Sequence, residues 1–180
     1  MPPFRKRREE IEMVSMKVVN EKDDFFLFNC PLETGVRAVV ILNAAYPKSF
    51  DLSQLTWLDH LVVHTKDIGG PKSLHPDVPH RSGELLVRRP LIEEGLTLMR
   101  RLHLVNILAN ERGIVYQASD EAFSFVELIR SKYASELKER SEWLSKNVCN
   151  LDEKQMENLI TKKLGRWNLE FQSKELHMES

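Results

Sequence analysis

Residues 91–116 read LIEEGLTLMRRLHLVNILANERGIVY, and a change of period inside this stretch decides the fold. Apolar residues first recur every three or four positions, which predicts one face of an amphipathic helix over residues 91–104. That face consists of Ile92, Leu96, Met99 and Leu102. From Val105 the pattern alternates as in a strand, residues 110–113 supply turn chemistry, and residues 114–116 return as a β-branched and aromatic strand. The stretch therefore predicts a helix followed by a β-hairpin.

A long helix is predicted after the hairpin, capped by Ser119 or Asp120 and reaching about Lys146. Its narrow apolar stripe is typical of packing against one partner surface. The stripe comprises Val126, Ile129, Tyr133, Leu137 and Leu144. Helix, hairpin and helix form the second half of a winged-helix domain. We therefore predict a mainly α fold with a small β-hairpin, a winged-helix-like domain with a long C-terminal helix and a helical tail.

Two helices are predicted upstream. Residues 32–45 are apolar nearly all round, which fits a buried helix or a buried strand, and we favour the helix. Asp51 and Gln54 form a capping-box pattern that starts a second helix, from Leu52 to about Thr65. A short helical segment over residues 82–89 is expected to stop or kink at Pro90.

The two ends of the chain are less regular. Residues 1–30 fit either a helix or a strand, with an aromatic run at residues 25–28. A second capping-box pattern at Asp152 and Gln155 predicts a short helix ending at Gly165. Residues 167–171 then alternate in polarity, which fits an added strand, a partner-binding segment or a frayed tail. We predict an N-terminal extension (1–30), a winged-helix-like domain (31–147) and a C-terminal helical tail (148–180).

A long loop is predicted from Lys66 to Ser82, because three Pro-containing turns interrupt this segment. Loops of this length in compact domains are usually functional or disordered. The loop is therefore the first place to expect a site.

The overall composition excludes a strong electrostatic field. The 26 Lys and Arg nearly cancel the 27 Asp and Glu, so the chain is not drawn as a whole to DNA or a membrane. Cys30 and Cys149 have neither metal-ligand spacing nor disulfide density and are interpreted as free thiols. No apolar run has the length of a membrane span, and no signal core follows Arg5–Arg8, which predicts a cytoplasmic protein without a membrane partner.

Motifs for catalysis or cofactor binding are weak. His60 and His64 lie one helical turn apart and could face one metal, but HLVVH lacks the glutamate of the HExxH enzymes, so a structural role is favoured. Residues 67–73, DIGGPKS, end in Lys-Ser as a phosphate-binding loop does, but Pro71 stands in place of the loop glycine and the first glycine of the motif is missing. We predict no catalytic residue, no metal and no cofactor.

DNA contact is a secondary expectation. Arg100 and Arg101 end the helix that enters the major groove in winged-helix proteins, and Arg112 lies at the hairpin tip. Glu93 and Glu94, however, open the same helix and would repel phosphate. The pattern favours a protein-binding module.

Several segments resemble the middle component of bacterial ABC-three-component systems. They are PLETGVR (31–37), ILNAAYP (41–47), LVVHT (61–65), DIGGP (67–71), SLHP (73–76) and RSGELLVRR (81–89). The similarity covers about Pro31 to Asn147, and the loop motif is its most distinctive part.

The resemblance implies a small non-catalytic adaptor between a large SMC/Rad50-like ATPase and an effector, often a nuclease, as in Lamassu-type anti-phage defence. The resemblance implies that DNA is bound through the assembled complex. A glycine- and proline-rich loop with arginines is able to order on a partner. The candidate partner-binding residues are Gly69, Gly70, Pro71, His75, Arg81, Glu84, Arg88 and Arg89. Glu84 and Arg88 could instead simply pair with each other on one helix face.

A second hypothesis is a winged-helix transcription regulator. It would dimerise through the helix that starts at Asp120 and read DNA with the helix that starts at Leu91. Such a regulator would bind duplex DNA alone, with a steep salt dependence.

Overall fold

A computed structural model describes residues 30–76, 81–111 and 113–164, without the side chains of residues 81–86, 153, 163 and 164. Its elements follow the order predicted from the sequence, and the mainly α fold with one β-hairpin is confirmed. The elements are α1 (Pro31–Ala44), α2 (Leu52–Val63), a 3-10 turn (Thr65–Ile68), α3 (Arg81–Arg101), β1 (Val105–Asn110), β2 (Gly113–Ala118), α4 (Asp120–Leu128), α5 (Lys132–Asn147) and α6 (Glu153–Leu164). None of the helices in the described ranges is long and apolar enough to cross a membrane.

Helix α1 is the centre of the core, and its segment is a helix, as favoured from the sequence. Cys30 caps the helix through its Sγ, which accepts a hydrogen bond from the Glu33 backbone N–H at 3.5 Å, and Pro31 lies in the first turn. The helix packs against α2, α3, α4, α5 and β2, which explains why it is apolar on nearly every side.

The capping box of α2 is also confirmed. Asp51 Oδ1 accepts from the Gln54 N–H at 2.8 Å, and Gln54 Oε1 accepts from the Asp51 N–H at 3.0 Å. Beyond α2, the expectation of an irregular loop over residues 66–82 is wrong at both ends. The 3-10 turn occupies the start, where Gly69 (φ +80°) closes it in the left-handed region, and α3 already begins at Arg81.

Helix α3 runs through Pro90, so of the two alternatives predicted for this proline, a stop or a kink, the stop is wrong. The reason is tertiary: Arg88 and Ile92 on either side of Pro90 are 3% and 0% exposed, so packing holds both turns in place. The helix ends at Arg101, earlier than predicted, which leaves Leu102 outside the apolar face and 52% exposed. Leu104 replaces Leu102 in the core at 6% exposed, after a turn in which His103 has φ +59°.

The hairpin pairs β1 and β2 in antiparallel register, with Val105 opposite Ala118 and Asn110 opposite Gly113. Phe50 bridges to Tyr116 on the outer edge of β2, with both backbone hydrogen bonds formed at 3.0 and 2.8 Å. The hairpin is thereby anchored to the segment between α1 and α2.

The long helix predicted over residues 119–146 is two helices, α4 and α5. The break lies at residues 129–131, where the Ser131 side chain accepts a hydrogen bond from the Ala134 N–H at 3.1 Å and starts a new helix. The predicted stripe also faces inward: Val126, Leu137 and Leu144 lie in the core of this chain. It is therefore not an open partner surface.

The core extends into the segment predicted as a tail. Val148, Cys149, Met156 and Ile160 are each at most 4% exposed and belong to the same cluster as α1. The capping box at Asp152 and Gln155 is formed, with hydrogen bonds of 2.7 and 3.0 Å. The segments at residues 1–29 and 165–180, with the alternating residues 167–171, lie outside the described part of the chain, as does Arg112.

Candidate functional site

A buried cluster of charges joins three helices. Asp59 on α2 accepts two bonds from Arg37 of α1, at 2.7 Å from Nε to Oδ1 and 3.2 Å from Nη2 to Oδ2. Arg88 of α3 donates from Nη1 to Oδ2 of the same carboxylate at 2.5 Å. Arg37 and Asp59 are each 1% exposed and Arg88 is 3% exposed, so all three charges are removed from water. We call these three residues the Asp59 cluster.

The pKa values of the cluster reflect its pairing. Burial by itself raises the pKa of Asp59, but the charges of Arg37 and Arg88 outweigh it and hold the pKa below its usual value. Burial likewise acts to lower the pKa of Arg37, but Asp59 outweighs it and raises this pKa. Both groups therefore stay ionised at neutral pH.

Glu33 extends the cluster towards the surface. Its Oε1 accepts from Arg37 Nη1 at 2.9 Å, one helical turn away on α1. Burial raises the pKa of Glu33, and Arg37 offsets this only in part. Glu33 is therefore the member of this group that takes up a proton most readily.

The aromatic rings of three histidines and one tyrosine form a row beside the Asp59 cluster. The ring centroids of His60 and His64 are 4.7 Å apart, and His75 meets His64 edge-on at 6.2 Å. His75 Nε2 also lies 3.2 Å from Tyr133 Oη on α5. Burial, followed by the charges of Arg37, Arg88 and His64, lowers the pKa of His75 to about 4, so this ring is neutral at pH 7.

His60 on α2 and His64, the residue that follows the end of α2, are each 0% exposed and pack inside the domain. Within the described ranges, no group of three or more His, Cys, Asp or Glu side chains could hold a metal ion. The chemistry that this part of the structure supports is ion pairing and packing.

The glycine and proline segment is held against α5 of the same chain. The Lys72 carbonyl accepts two bonds from the Arg140 guanidinium, at 3.2 and 3.1 Å. A side chain at Gly70 would meet the Trp143 ring at 2.9 Å, so the close approach requires glycine. The backbone N–H groups of Leu74 and His75 both donate to the Val63 carbonyl. Residues 69–76 form an ordered surface, which we call the GGP loop.

The structure separates the predicted partner-binding residues. Gly69 is exposed on the GGP loop, and Gly70, Pro71 and His75 are half-buried in it. Arg89 is half-buried and donates to Ser53 Oγ at 2.9 Å. Arg88 belongs to the Asp59 cluster, so its guanidinium lies inside the domain and not on the surface where a partner contact was expected. Arg81 and Glu84 lie on α3, and their side chains are outside the description.

Among the predicted DNA-binding residues, Arg100 and Arg101 are exposed at the end of α3. A cleft of about 710 Å³ lies between this end and the hairpin, lined by Arg100, His103, Ile107, Ile114 and Glu121. The cleft carries charges of both signs. It is not a purely basic surface of the kind that binds phosphate.

The sequence-based reasoning missed Arg37 and Asp59. Their signal was present, since an arginine in the apolar run of α1 and an aspartate between Leu58 and His60 of α2 both interrupt buried faces. A charged side chain is almost never fully buried without a partner, so the sequence could have indicated that each of these two residues needs an ion-pair partner inside the domain.

Comparisons with known proteins give one result. A family model, ABC-three component (ABC-3C) system Middle Component 2, matches residues 27–170. No curated protein and no solved structure matches the chain.

Proposed function

The chain belongs to the Middle Component 2 family of ABC-three-component systems, and we propose that it is the non-catalytic adaptor subunit of an ATPase and effector complex. The observation that carries this proposal is the family match, which runs from residue 27 to residue 170 and spans every described helix and strand. A middle component works with partner subunits, so protein binding is its expected activity.

The finer proposal names those partners. We expect an SMC-like ATPase on one side and an effector, such as a nuclease, on the other, as in Lamassu-type anti-phage defence. The motifs that support it are those of the GGP loop and the adjoining start of α3, from Asp67 to Arg89. DNA would be engaged by the assembled complex.

The GGP loop is our candidate contact for the ATPase. Its exposed residues, Gly69, Lys72 and Pro76, are presented on a backbone that Arg140, Trp143 and Val63 already hold in place. A surface that is ordered before binding loses less conformational entropy when the partner docks. The loop therefore favours a stable subunit contact.

Co-purification tests the proposal. The tagged chain is expressed with its neighbouring genes, and the masses of the recovered proteins are determined; we expect a large ATPase and an effector. Arg140→Gln removes both bonds to the Lys72 carbonyl, and we expect it to lower recovery of the ATPase roughly tenfold, equivalent to about 1.4 kcal/mol.

The matched control is Arg130→Gln, an exposed arginine in the linker before α5, and we expect it to leave recovery unchanged. Equal recovery of the ATPase with Arg140→Gln and with Arg130→Gln would show that the GGP loop is not part of the interface. Recovery of this chain alone, without an ATPase, would contradict the adaptor function itself.

The alternative is a DNA-binding regulator. It is favoured by one observation, the exposure of Arg100 and Arg101 beside the hairpin. In that case the isolated chain would bind duplex DNA with an affinity that falls steeply with salt, and Arg100→Ala would weaken binding. An adaptor is expected to bind duplex weakly without its ATPase.

A further inference from the structure

A row of leucines runs along one side of α3. Leu91, Gly95 and Leu98 recur at intervals of four and three residues, which places them on one face of the helix. Leu102 extends the row, because its N–H still donates to the Leu98 carbonyl at 3.1 Å although α3 ends at Arg101. The row therefore continues past the last residue of the helix.

The first turn of α1 rests on the middle of this row. A Cβ at Gly95 would lie 2.6 Å from the Pro31 carbonyl oxygen, so the two backbones touch there. Leu32, the next residue of α1, is 54% exposed, and Leu102 is 52% exposed. The other two leucines of the row are half-buried. We give the name leucine patch to Leu32, Leu91, Leu98 and Leu102.

Helix α2 packs on the side of α3 away from this patch. Arg89 lies two residues before Leu91, which places it on nearly the opposite face of the helix. Its guanidinium donates to Ser53 Oγ on α2 at 2.9 Å. The leucine patch is therefore not the surface that α2 covers.

The chain that leads into the patch supplies an apolar segment. Residues 25–28, outside the described part of the chain, read FFLF, four large apolar side chains in succession. The described chain begins at Cys30, directly before the Pro31 that rests on α3. The family match starts at residue 27 and so reaches into this run. Aromatic side chains gain most from leaving water, so the segment next to the patch is also one that favours a cover.

We propose that residues 25–28 pack on the leucine patch of their own domain, as an extended segment that runs towards the C-terminal end of α3. In an extended segment alternate side chains point to the same side, about 6.8 Å apart. Leu98 and Leu102, four residues apart along a helix, are separated by about 6 Å. Phe28 therefore lies against Leu98, and Phe26 lies against Leu102.

The length of the chain allows this placement. Pro31 rests at Gly95, and Leu102 lies about 10 Å further along the helix axis. The extended chain from Pro31 back to Phe26 spans about 16 Å. Phe26 therefore reaches Leu102 without strain on the segment.

Charge determines the direction of the segment. Residues 23–24 are both aspartate, and Arg100 and Arg101 are exposed at the end of α3 towards which the segment runs. The opposite direction leads past Glu93 and Glu94, which are exposed and carry the same charge as the aspartates. Attraction at one end and repulsion at the other both favour the proposed direction.

Limited chymotrypsin digestion of the full chain tests the packing, because the enzyme cuts after aromatic residues and leucine only where the segment is accessible. Mass spectrometry follows cleavage after residues 25–28. Leu102→Asp replaces an apolar contact with a charge that repels the aspartates, and we expect this cleavage to become roughly tenfold faster, because proteolysis follows the population of undocked segments. Cleavage after Phe4 in the same sample is the internal reference and should not change.

Val87→Asp is the matched control. Val87 is 66% exposed on the same helix, but it lies beyond Leu91, at the end away from the proposed path. We expect cleavage after residues 25–28 to keep its original rate in this variant. Circular dichroism checks that both variants are folded. Faster cleavage in Val87→Asp than in Leu102→Asp would contradict the proposed direction.

Thermal unfolding gives a second measurement that leaves the patch itself intact. The double variant Phe26→Ala and Phe28→Ala removes both proposed contacts, and we expect its melting temperature to fall by roughly 4–8 °C. Phe4→Ala changes the same residue type in the same N-terminal extension, and it should leave the melting temperature unchanged.

Equal cleavage rates in the original chain and in Leu102→Asp would overturn the proposal, as would an unchanged melting temperature in the double variant. Protection from cleavage that grows with protein concentration would assign the patch to a segment of a second copy. Protection that needs a co-purifying subunit would assign the patch to that subunit. Either of these results would overturn packing within one chain.

Discussion

Asp59 is a buried carboxylate that balances two guanidinium groups from two other helices. Removing its charge leaves Arg37 and Arg88 buried without their counter-ion, so we expect Asp59→Asn to lower the free energy of unfolding by about 3–5 kcal/mol. Urea denaturation measures the change. Glu139→Gln is the control: Glu139 pairs with Arg140 but is 64% exposed, so we expect a loss below about 1 kcal/mol. Equal losses of unfolding free energy in Asp59→Asn and Glu139→Gln would contradict the conclusion that burial makes the Asp59 charge important for stability.

The contacts and burial of single residues were predicted least well from the sequence. Asp59 pairs with residues 22 and 29 positions away, and no local pattern indicates which charges meet after folding. Arg88 was therefore predicted on the surface, although packing places it inside. His75 was predicted as a partner contact, but its own contact with Tyr133, 58 residues away, depends on how the GGP loop lies against α5.

Elements were predicted well where the signal was local. The capping box of α2, the apolar run of α1 and the period change into the hairpin are each encoded within a few residues. The errors came where tertiary packing overrode a local preference, as at Pro90 in α3. They also came where a weak local signal was overlooked, as with the Ser131 cap that divides α4 from α5.

The crossing of α1 and α3 depends on two glycines. A Cβ at Gly95 would lie 2.6 Å from the Pro31 carbonyl oxygen and 2.7 Å from the Gly35 nitrogen, and backbone atoms cannot rotate away. We expect Gly95→Ala to cost about 2 kcal/mol of stability, although alanine is about 1 kcal/mol better than glycine in a helix. Thr97→Ala, exposed on the same helix, is the control and should be neutral. A more stable Gly95→Ala in chemical denaturation would show that the helices can separate.

The whole domain is expected to lose stability in mild acid because of His75. Its folded pKa of about 4 lies below the usual 6.5, so between these values the unfolded chain binds more protons. The contribution of His75 to the free energy of unfolding should therefore be fully present above pH 6.5. It should be lost, by on the order of 2 kcal/mol, as the pH drops to about 4. Urea denaturation at pH 7 and pH 5 should show a smaller loss in His75→Gln than in the original chain.

Glu33 acts in the opposite direction in the lower part of this range, because its folded pKa is raised and the folded state then binds the extra proton. The difference between the two chains isolates His75, since both contain Glu33. An identical pH dependence in the two chains would contradict a neutral, half-buried His75.

The Asp59 cluster also limits how the sequence of this family is able to change with time. Replacing Arg37, Asp59 or Arg88 singly leaves an uncompensated charge inside the domain, whereas replacing all of them with apolar residues of similar volume is tolerated by many proteins. Sequences in which only one or two of the three residues are replaced are therefore expected to be the destabilised ones. Lineages are expected to retain the three residues together or to have lost them together, so that positions 37, 59 and 88 are inherited as one unit.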